Sequence, residues 1–173
     1  MRSKQTIVLG LLVLFIACSG PGPQRPSQRK SDAPKADSAQ LALMELNQQL
    51  TAAADETLHS IILQQEEAYA MYNNGTWGTV LKIGDTSKKA LRFGEECTIH
   101  MRVLRLDGKL YCDTEQTSRI GMRDWPIAVD RNLSEWHHGA HIKLYAPWYS
   151  AYGIQGTKEV PPYENVIIEL EIE

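Results

Sequence analysis

The chain has 173 residues, a formal net charge of −3 at pH 7 and 43% hydrophobic residues. No cluster of Lys and Arg is interleaved with aromatic side chains, so the electrostatic footprint of a nucleic-acid-binding protein is missing. We therefore expect no nucleic-acid partner. His137, His138 and His141 lie close together but lack a companion Cys or a spaced carboxylate, and we expect neither a metal nor a cofactor.

The N-terminus has the layout of an export signal. Two basic residues precede an apolar run from Thr6 to Ala17, which is too short to span a bilayer because a spanning helix needs about 20 apolar residues. The run ends at Phe15-Ile16-Ala17-Cys18, which resembles a lipobox. This resemblance implies a signal peptide at residues 1–17 and lipid on Cys18. The alternative is an ordinary signal peptide with a chance cysteine.

The residues after Cys18 predict where the chain resides. Ser19 comes next, with no acidic residue, which resembles the sorting pattern of outer-membrane lipoproteins. We expect a lipoprotein of the cell envelope whose lipid anchors it to the outer membrane, on the periplasmic face rather than the surface. Residues 18–36 comprise the lipidated cysteine and a segment with no large apolar side chain, and they predict a disordered tether.

Residues 37–72 are predicted to form an amphipathic helical segment. Asp37 and Ser38 offer a cap, and apolar residues recur at three- and four-residue steps in a helix that extends to about Ala68, with a break near Asp55 left open. The stripe consists of Leu43, Leu46, Leu50, Ala54, Leu58, Ile61 and Ile62. It must cover either the domain that comes after it, which we favour, or a second copy of the chain in a homodimer.

Beyond residue 76 the pattern changes to short strands bounded by turn residues. The predicted strands are 77–82, 97–106, 109–113, 125–129, 140–146 and 166–172. Apolar residues alternate with polar ones in the last two, so each has one face toward a core and one largely toward water. This alternation predicts an antiparallel sheet.

Cys97 and Cys112 fall on two predicted strands joined at Asp107-Gly108. If that pair forms a two-residue turn, Cys112 faces Val103 and Cys97 faces a position near Ser118. The two thiols are then about 20 Å apart, which is beyond the reach of a disulfide. We predict that both are small, partly buried residues.

The C-terminal residues carry an ordered set of motifs. They are Tyr149-Ser150-Ala151-Tyr152-Gly153, Gly156, Val160-Pro161-Pro162 and a last strand that includes Glu169-Leu170-Glu171. This order resembles the end of the FKBP family, which has L/Y-A-Y-G, a Gly-containing loop, I-P-P and a final strand ending in V-E-L. Residues 93–100 and 106–109 resemble a strand and a hairpin of the same family. The implied domain is 76–173, and the preceding helix and lipid anchor resemble the subgroup of gliding-motility-type FKBP lipoproteins.

The resemblance implies an α+β fold, with a twisted antiparallel sheet around one short helix and the amphipathic helix before it. It also implies peptidyl-prolyl cis-trans isomerase activity on a proline-containing polypeptide. Unaided rotation of an X-Pro bond is slow, and an apolar aromatic pocket that desolvates the amide and fits its twisted form lowers the barrier. This chemistry needs neither a nucleophile nor a metal.

The resemblance also assigns a site. Tyr152 matches the family's hydroxyl donor and Tyr111 an aromatic wall, and these two are the implied catalytic residues. The remaining implied pocket residues are Ile127, Val160, Ile168, Met101 and Trp136.

Three departures from the family weaken that site. The family's aspartate after the aromatic wall is Cys112, and Asp113 lies one place later, which in a strand is the opposite face. Met101 replaces a tyrosine and cannot donate a hydrogen bond. Residues 130–139 look too short for the family's G-W-x-x-G helix, whose Trp floors the pocket. Trp136 either substitutes for that Trp or, as we favour, packs at the sheet edge.

Two functions therefore remain open. One is a working isomerase or foldase for envelope proteins, and the other is an inactive FKBP-like module that binds a protein of an envelope assembly. The family resemblance favours the first, whereas the departures favour the second.

Overall fold

The computed structural model describes residues 37–173. The signal peptide, Cys18 and the tether predicted for residues 1–36 lie outside the described residues. Within the described part, the compact unit Ala42–Glu173 is an α+β fold built on a six-stranded antiparallel sheet. None of the helices in residues 37–173 combines the length and apolar character that crossing a bilayer requires.

The helices and strands succeed one another in a simple order. They are α1 Ser38–Ile62, β1 Ala70–Met71, β2 Trp77–Lys82, β3 Glu96–Arg105, β4 Leu110–Arg119, α2 Ile127–Asp130, a 3₁₀ helix at Leu133–Glu135, β5 His141–Ala146 and β6 Val166–Ile172. The order of strands in the sheet is β1-β2-β5-β6-β3-β4, and every neighbouring pair is antiparallel. The last strand of the chain therefore lies inside the sheet, between β5 and β3.

The strand predicted at 125–129 is wrong, because this segment forms α2. Pro126 precedes the helix with φ −51°, and its carbonyl accepts hydrogen bonds from the amides of Val129 and Asp130, both at 2.9 Å. A short apolar run does not distinguish a strand from a buried helical turn. Ala128 and Val129 are fully buried, so α2 is the short helix around which the sheet wraps. That helix is therefore present, and the deletion inferred for residues 130–139 does not remove it.

One face of the sheet and α2 enclose the main core. Alternate residues of β6 point into it, as the sequence predicted: Val166, Ile168, Leu170 and Ile172. Ile142 and Leu144 of β5 join them, and all six side chains are at most 2% exposed. This alternation, confirmed on two neighbouring strands, fixes which side chains can face a ligand and which face outward.

The long helix α1 packs on the opposite face of the sheet. Leu58 is fully buried there in a second cluster with Leu104, Tyr145 and Ile167. Farther toward the N-terminus of α1 the apolar stripe is uncovered, since Leu43 is 60% exposed. The preferred interpretation, packing on its own domain, therefore applies to the C-terminal half of the helix.

The helix α1 is shorter than predicted. It is continuous through Asp55 and ends at Ile62, before the predicted end near Ala68. The amides of Gln64 and Gln65 donate to the carbonyls of Ile61 and Ile62. Each of these bonds spans three residues instead of the four of an α-helix, so the last turn is tighter. The chain then forms β1, and the pairing of β1 with β2 outweighs the helical pattern of the local sequence.

The hairpin between β3 and β4 has the predicted register but a different turn. Cys112 pairs with Val103 and Cys97 with Ser118, as predicted, and both thiols are free. The turn is not a two-residue one, because the amide of Arg105 donates to the carbonyl of Lys109 at 2.8 Å. The register shifts between Val103 and Leu104, which restores the pairing farther along the hairpin.

Candidate functional site

The register brings three strands together at the predicted site. Ile168 of β6 pairs with Val103 of β3, which pairs with Cys112 of β4. Tyr111, Cys112 and Tyr152 are half-buried and pack against the core cluster to which Ile168 belongs. We call the group of Tyr111, Cys112, Tyr152, Val160 and Ile168 the Tyr152 site.

Tyr152 lies in the turn after β5. The amide of Gly153 donates to the carbonyl of Trp148 at 2.7 Å, and the amide of Tyr163 donates to the carbonyl of Gly153 at 3.1 Å, so the backbone around Tyr152 is held on both sides. The Tyr152 hydroxyl has no hydrogen-bond partner among residues 37–173. Desolvation raises its pKa, with smaller contributions from Cys112 and Glu159. The hydroxyl therefore stays protonated at neutral pH and can donate to a ligand.

The loop after Tyr152 is closed by its own backbone. The amide of Thr157 donates to the carbonyl of Val160 at 2.8 Å, and the amide of Val160 donates to the Thr157 hydroxyl at 3.0 Å. Gly156 has φ +63°, and a Cβ at that position would lie 2.4 Å from the Val160 carbonyl oxygen. Only glycine fits such a close approach. The loop thereby buries Val160 completely.

Tyr111 lies where the hairpin register shifts. Val103 pairs with Cys112 while Leu104 pairs with Leu110, so Tyr111 is the extra residue of a β-bulge, a feature that re-aims a side chain. Its hydroxyl donates to Glu164 Oε1 at 2.8 Å. Burial and, to a lesser extent, this carboxylate raise the pKa of Tyr111 to about 12. Unlike the Tyr152 hydroxyl, that of Tyr111 is already engaged.

A thiol occupies the position of the family's carboxylate. Cys112 packs half-buried against the core, and burial raises its pKa, so the neutral thiol is the dominant form. Asp113 lies on the opposite face, as strand alternation predicted, where it bonds to His100 Nε2 and approaches Arg102 Nε at 3.8 Å. The Tyr152 site therefore has no aspartate at this position.

Two of the remaining predicted residues are core residues behind the site. Met101 and Trp136 are 7% and 3% exposed and belong to the main core cluster. The Trp136 ring meets Tyr72 edge to face, with centroids 6.2 Å apart. Both side chains support the site from inside, where a bound polypeptide would not reach them without rearrangement.

Ile127 is the first residue of α2. It is 41% exposed on α2 and lines a cavity of about 410 Å³ together with Met71 and Tyr149. The amide of the next residue, Ala128, donates to the carbonyl of Ser150 at 2.8 Å, so this end of α2 is attached to the turn that carries Tyr152.

Sequence reasoning missed Trp125, which it placed in a strand. Trp125 is 4% exposed and its indole Nε1 has no hydrogen-bond partner among the described residues. The signal that could have found it is Pro126, because proline favours the first turn of a helix. The two residues that α2 buries, Ala128 and Val129, are aliphatic.

Comparison with known proteins supports the architecture. No protein-family model matches the chain, and no curated protein matches its sequence. Solved structures do match. FkpA from Escherichia coli is 18% identical with a TM-score of 0.60, over 78% of this chain and 63% of FkpA. A peptidyl-prolyl cis-trans isomerase from Pseudomonas syringae pv. tomato is 20% identical with a TM-score of 0.57, over 70% of this chain and 92% of that one.

A third solved structure gives the same result. AtFKBP13 is 18% identical with a TM-score of 0.54, over 61% of this chain and 96% of AtFKBP13. The structural neighbours are FKBP-type peptidyl-prolyl isomerases, and the predicted FKBP-like α+β fold is confirmed. At these identities the likeness concerns the fold, and this chain spans less than two thirds of the length of FkpA.

Proposed function

We propose that this chain binds an X-Pro segment of a polypeptide at the Tyr152 site and acts there as a weak peptidyl-prolyl cis-trans isomerase. The observation that carries the proposal is Tyr152, whose protonated hydroxyl has no partner among residues 37–173 and stands on a buried apolar base. The FKBP-like fold supports the same function.

The mechanism requires only binding and desolvation. The proline ring would lie against the apolar surface formed by Tyr111, Tyr152 and the side chains beneath them. Removal of the amide from water disfavours its charge-separated planar form, and the Tyr152 hydroxyl donates a hydrogen bond to a carbonyl of the twisted segment. A hydrogen bond that is stronger in the twisted state than in the planar state accelerates rotation.

A second candidate function is binding without catalysis, and two observations favour it. Cys112 stands where the family has a carboxylate, and the Tyr111 hydroxyl is engaged by Glu164. Both features reduce the number of polar groups that could stabilise the twisted amide in preference to the planar one. The same surface would then recognise a proline-containing segment of an envelope protein and hold it.

Protease-coupled isomerisation of a short X-Pro peptide separates the two functions. We expect the full chain, kept in a mild detergent, to accelerate the reaction, and Tyr152→Phe to lower the acceleration about threefold to tenfold, the value of one hydrogen bond. Tyr111→Ala should lower it further because it removes an apolar wall. A folded parent whose rate equals the uncatalysed one would refute catalysis and leave the binding function.

The cellular setting is part of the proposal. The lipobox-like end of the apolar run at Cys18 and the adjacent Ser19 support a lipid-anchored protein of the outer membrane, on its periplasmic face, of the gliding-motility FKBP lipoprotein type. Metabolic labelling with a fatty acid that disappears in Cys18→Ser tests the anchor. Unchanged labelling in that variant would refute it.

The exposed part of α1 supports a homodimer. Leu43, Met44 and Leu46 are 60%, 57% and 49% exposed, and a second copy of the helix would cover them. Light scattering should give twice the monomer mass for the parent and the monomer mass for a variant with Leu43 and Leu46 changed to Glu. A monomeric parent at all concentrations would contradict the dimer.

A further inference from the structure

Glu159 is held at the edge of the Tyr152 site by a tight loop. Its Oε2 accepts a hydrogen bond from the Thr157 hydroxyl at 3.3 Å, and its amide donates to the same hydroxyl at 3.2 Å. The carboxylate is exposed, while the next residue, Val160, is fully buried in the core. Because Glu159 directly precedes Val160, which belongs to the Tyr152 site, its carboxylate lies at the edge of that site. In keeping with this position, its negative charge contributes to the raised pKa of both Tyr152 and Cys112.

Glu164 supplies a second carboxylate at the same site. It is half-buried, and its Oε1 accepts the hydrogen bond from the Tyr111 hydroxyl at 2.8 Å. Tyr111 forms one aromatic wall, so this carboxylate is fixed beside the surface on which a proline ring would lie. The two carboxylates thus belong to the loop and the segment on either side of Pro161 and Pro162.

Neither carboxylate is neutralised within the described residues. No Lys, Arg or His nitrogen of residues 37–173 lies within salt-bridge distance of Glu159 or Glu164. The cation that acts on Tyr111 is Arg105, and its guanidinium is paired with Asp107 at 3.4 Å. Lys158 is adjacent to Glu159 in the chain, but it is not within salt-bridge distance of either carboxylate. Both carboxylates therefore lack a paired cation among the described residues.

Building on the proposed function, we propose that Glu159 and Glu164 make the Tyr152 site selective for X-Pro segments with a lysine or arginine directly beside the proline. A ligand cation would find two carboxylates that have no cationic partner in the described unit. An acidic neighbour would meet like charges, which penalises the wrong ligand. An exposed charge pair has a modest effect, and two such carboxylates give an expected preference of about fivefold for Lys over Glu.

The test measures binding and therefore does not depend on catalysis. The probes are fluorescently labelled hexapeptides with Lys, Leu or Glu directly before the proline, a second set with these residues directly after it, and a Lys peptide with Ala in place of Pro. Anisotropy titrations of the full chain in mild detergent give the dissociation constants. One variant combines Glu159→Gln with Glu164→Gln. The control variant, Glu45→Gln, removes a negative charge from α1 instead.

We expect the Lys peptides of at least one set to bind about fivefold more tightly than the Glu peptides, and near-equal affinity in 1 M salt because screening removes exposed electrostatics. The double variant should also lose the preference, whereas Glu45→Gln should keep it. Equal affinity of all peptides, a preference for Glu, or a preference that persists in the double variant would overturn the selectivity but leave the proposed function. Failure of every peptide to bind, or equal binding of the Ala peptide, would overturn the proposed function as well.

Discussion

The attachment of α1 to the sheet can be tested at Leu58. This side chain is fully buried against Leu104, Tyr145 and Ile167, which belong to three neighbouring strands of the sheet. Truncation to alanine removes most of a side chain whose partners are fixed by the strand register, so the space cannot collapse easily. Buried Leu→Ala changes cost about 2–5 kcal/mol, and we expect a loss of about 3 kcal/mol in the free energy of unfolding.

The assay is urea denaturation of a 37–173 fragment, monitored by far-ultraviolet circular dichroism and by Trp fluorescence. The matched control is Leu43→Ala, because Leu43 lies on the same helix but is 60% exposed. We expect the control to change stability by no more than about 0.5 kcal/mol. Equal losses in the two variants, or a loss below about 1 kcal/mol at Leu58, would refute the packing of α1 on the sheet.

Three further predictions concern the hairpin and the loop. Under mild oxidation Cys97 and Cys112 should not form a disulfide with each other, so the intact mass should not fall by the two hydrogen atoms that the oxidant would remove. The raised pKa of Tyr111 contributes stability that is fully present below pH 10.0 and is lost as pH rises toward its folded pKa of about 12. The melting temperature of Tyr111→Phe should therefore decrease less than that of the parent over this pH range. Gly156→Ala should weaken X-Pro peptide binding more than tenfold, whereas Gly153→Ala, whose Cβ meets nothing within 4 Å, should cost only about 1 kcal/mol of stability.

Three results would contradict these predictions. They are an intramolecular disulfide between the two thiols, an alkaline melting curve unchanged by Tyr111→Phe, and X-Pro peptide binding that Gly156→Ala leaves unchanged.

The sheet was predictable because its signal is strong at each strand. Residues 166–172 and 140–146 alternate apolar and polar side chains, and only one register buries the whole apolar set. The pairing of Val103 with Cys112 was inferred from the position of Asp107-Gly108, even though the turn itself differs. The wrong turn type did not alter the predicted strand pairs farther from the turn, because the bulge at Tyr111 shifts the register by one residue and compensates for it.

The short helix was not predictable by periodicity. Residues 125–129 are all apolar but number only five, and such a short run fits a strand as well as a buried helical turn. Pro126 was the informative residue, since it lacks an amide hydrogen and suits a helix start. The end of α1 at Ile62 was also missed, because pairing of Ala70 with Gly78 depends on contacts that a local pattern does not contain.

The site was only partly accessible from the sequence. Resemblance located Tyr111 and Tyr152, and strand alternation placed Asp113 on the outer face. It could not show that the Tyr111 hydroxyl is engaged by Glu164, because that contact joins residues of distant segments.

The central claim is that the Tyr152 site recognises proline. Its most direct test is a titration of the isotopically labelled 37–173 fragment with an X-Pro peptide, monitored by amide chemical shifts, beside a peptide with Ala in place of Pro. We expect shifts centred on Tyr152, Val160 and Tyr111 with the proline peptide and much weaker shifts with the alanine peptide. Shifts confined to α1 or to the surface around Met71, or equal shifts with both peptides, would contradict it.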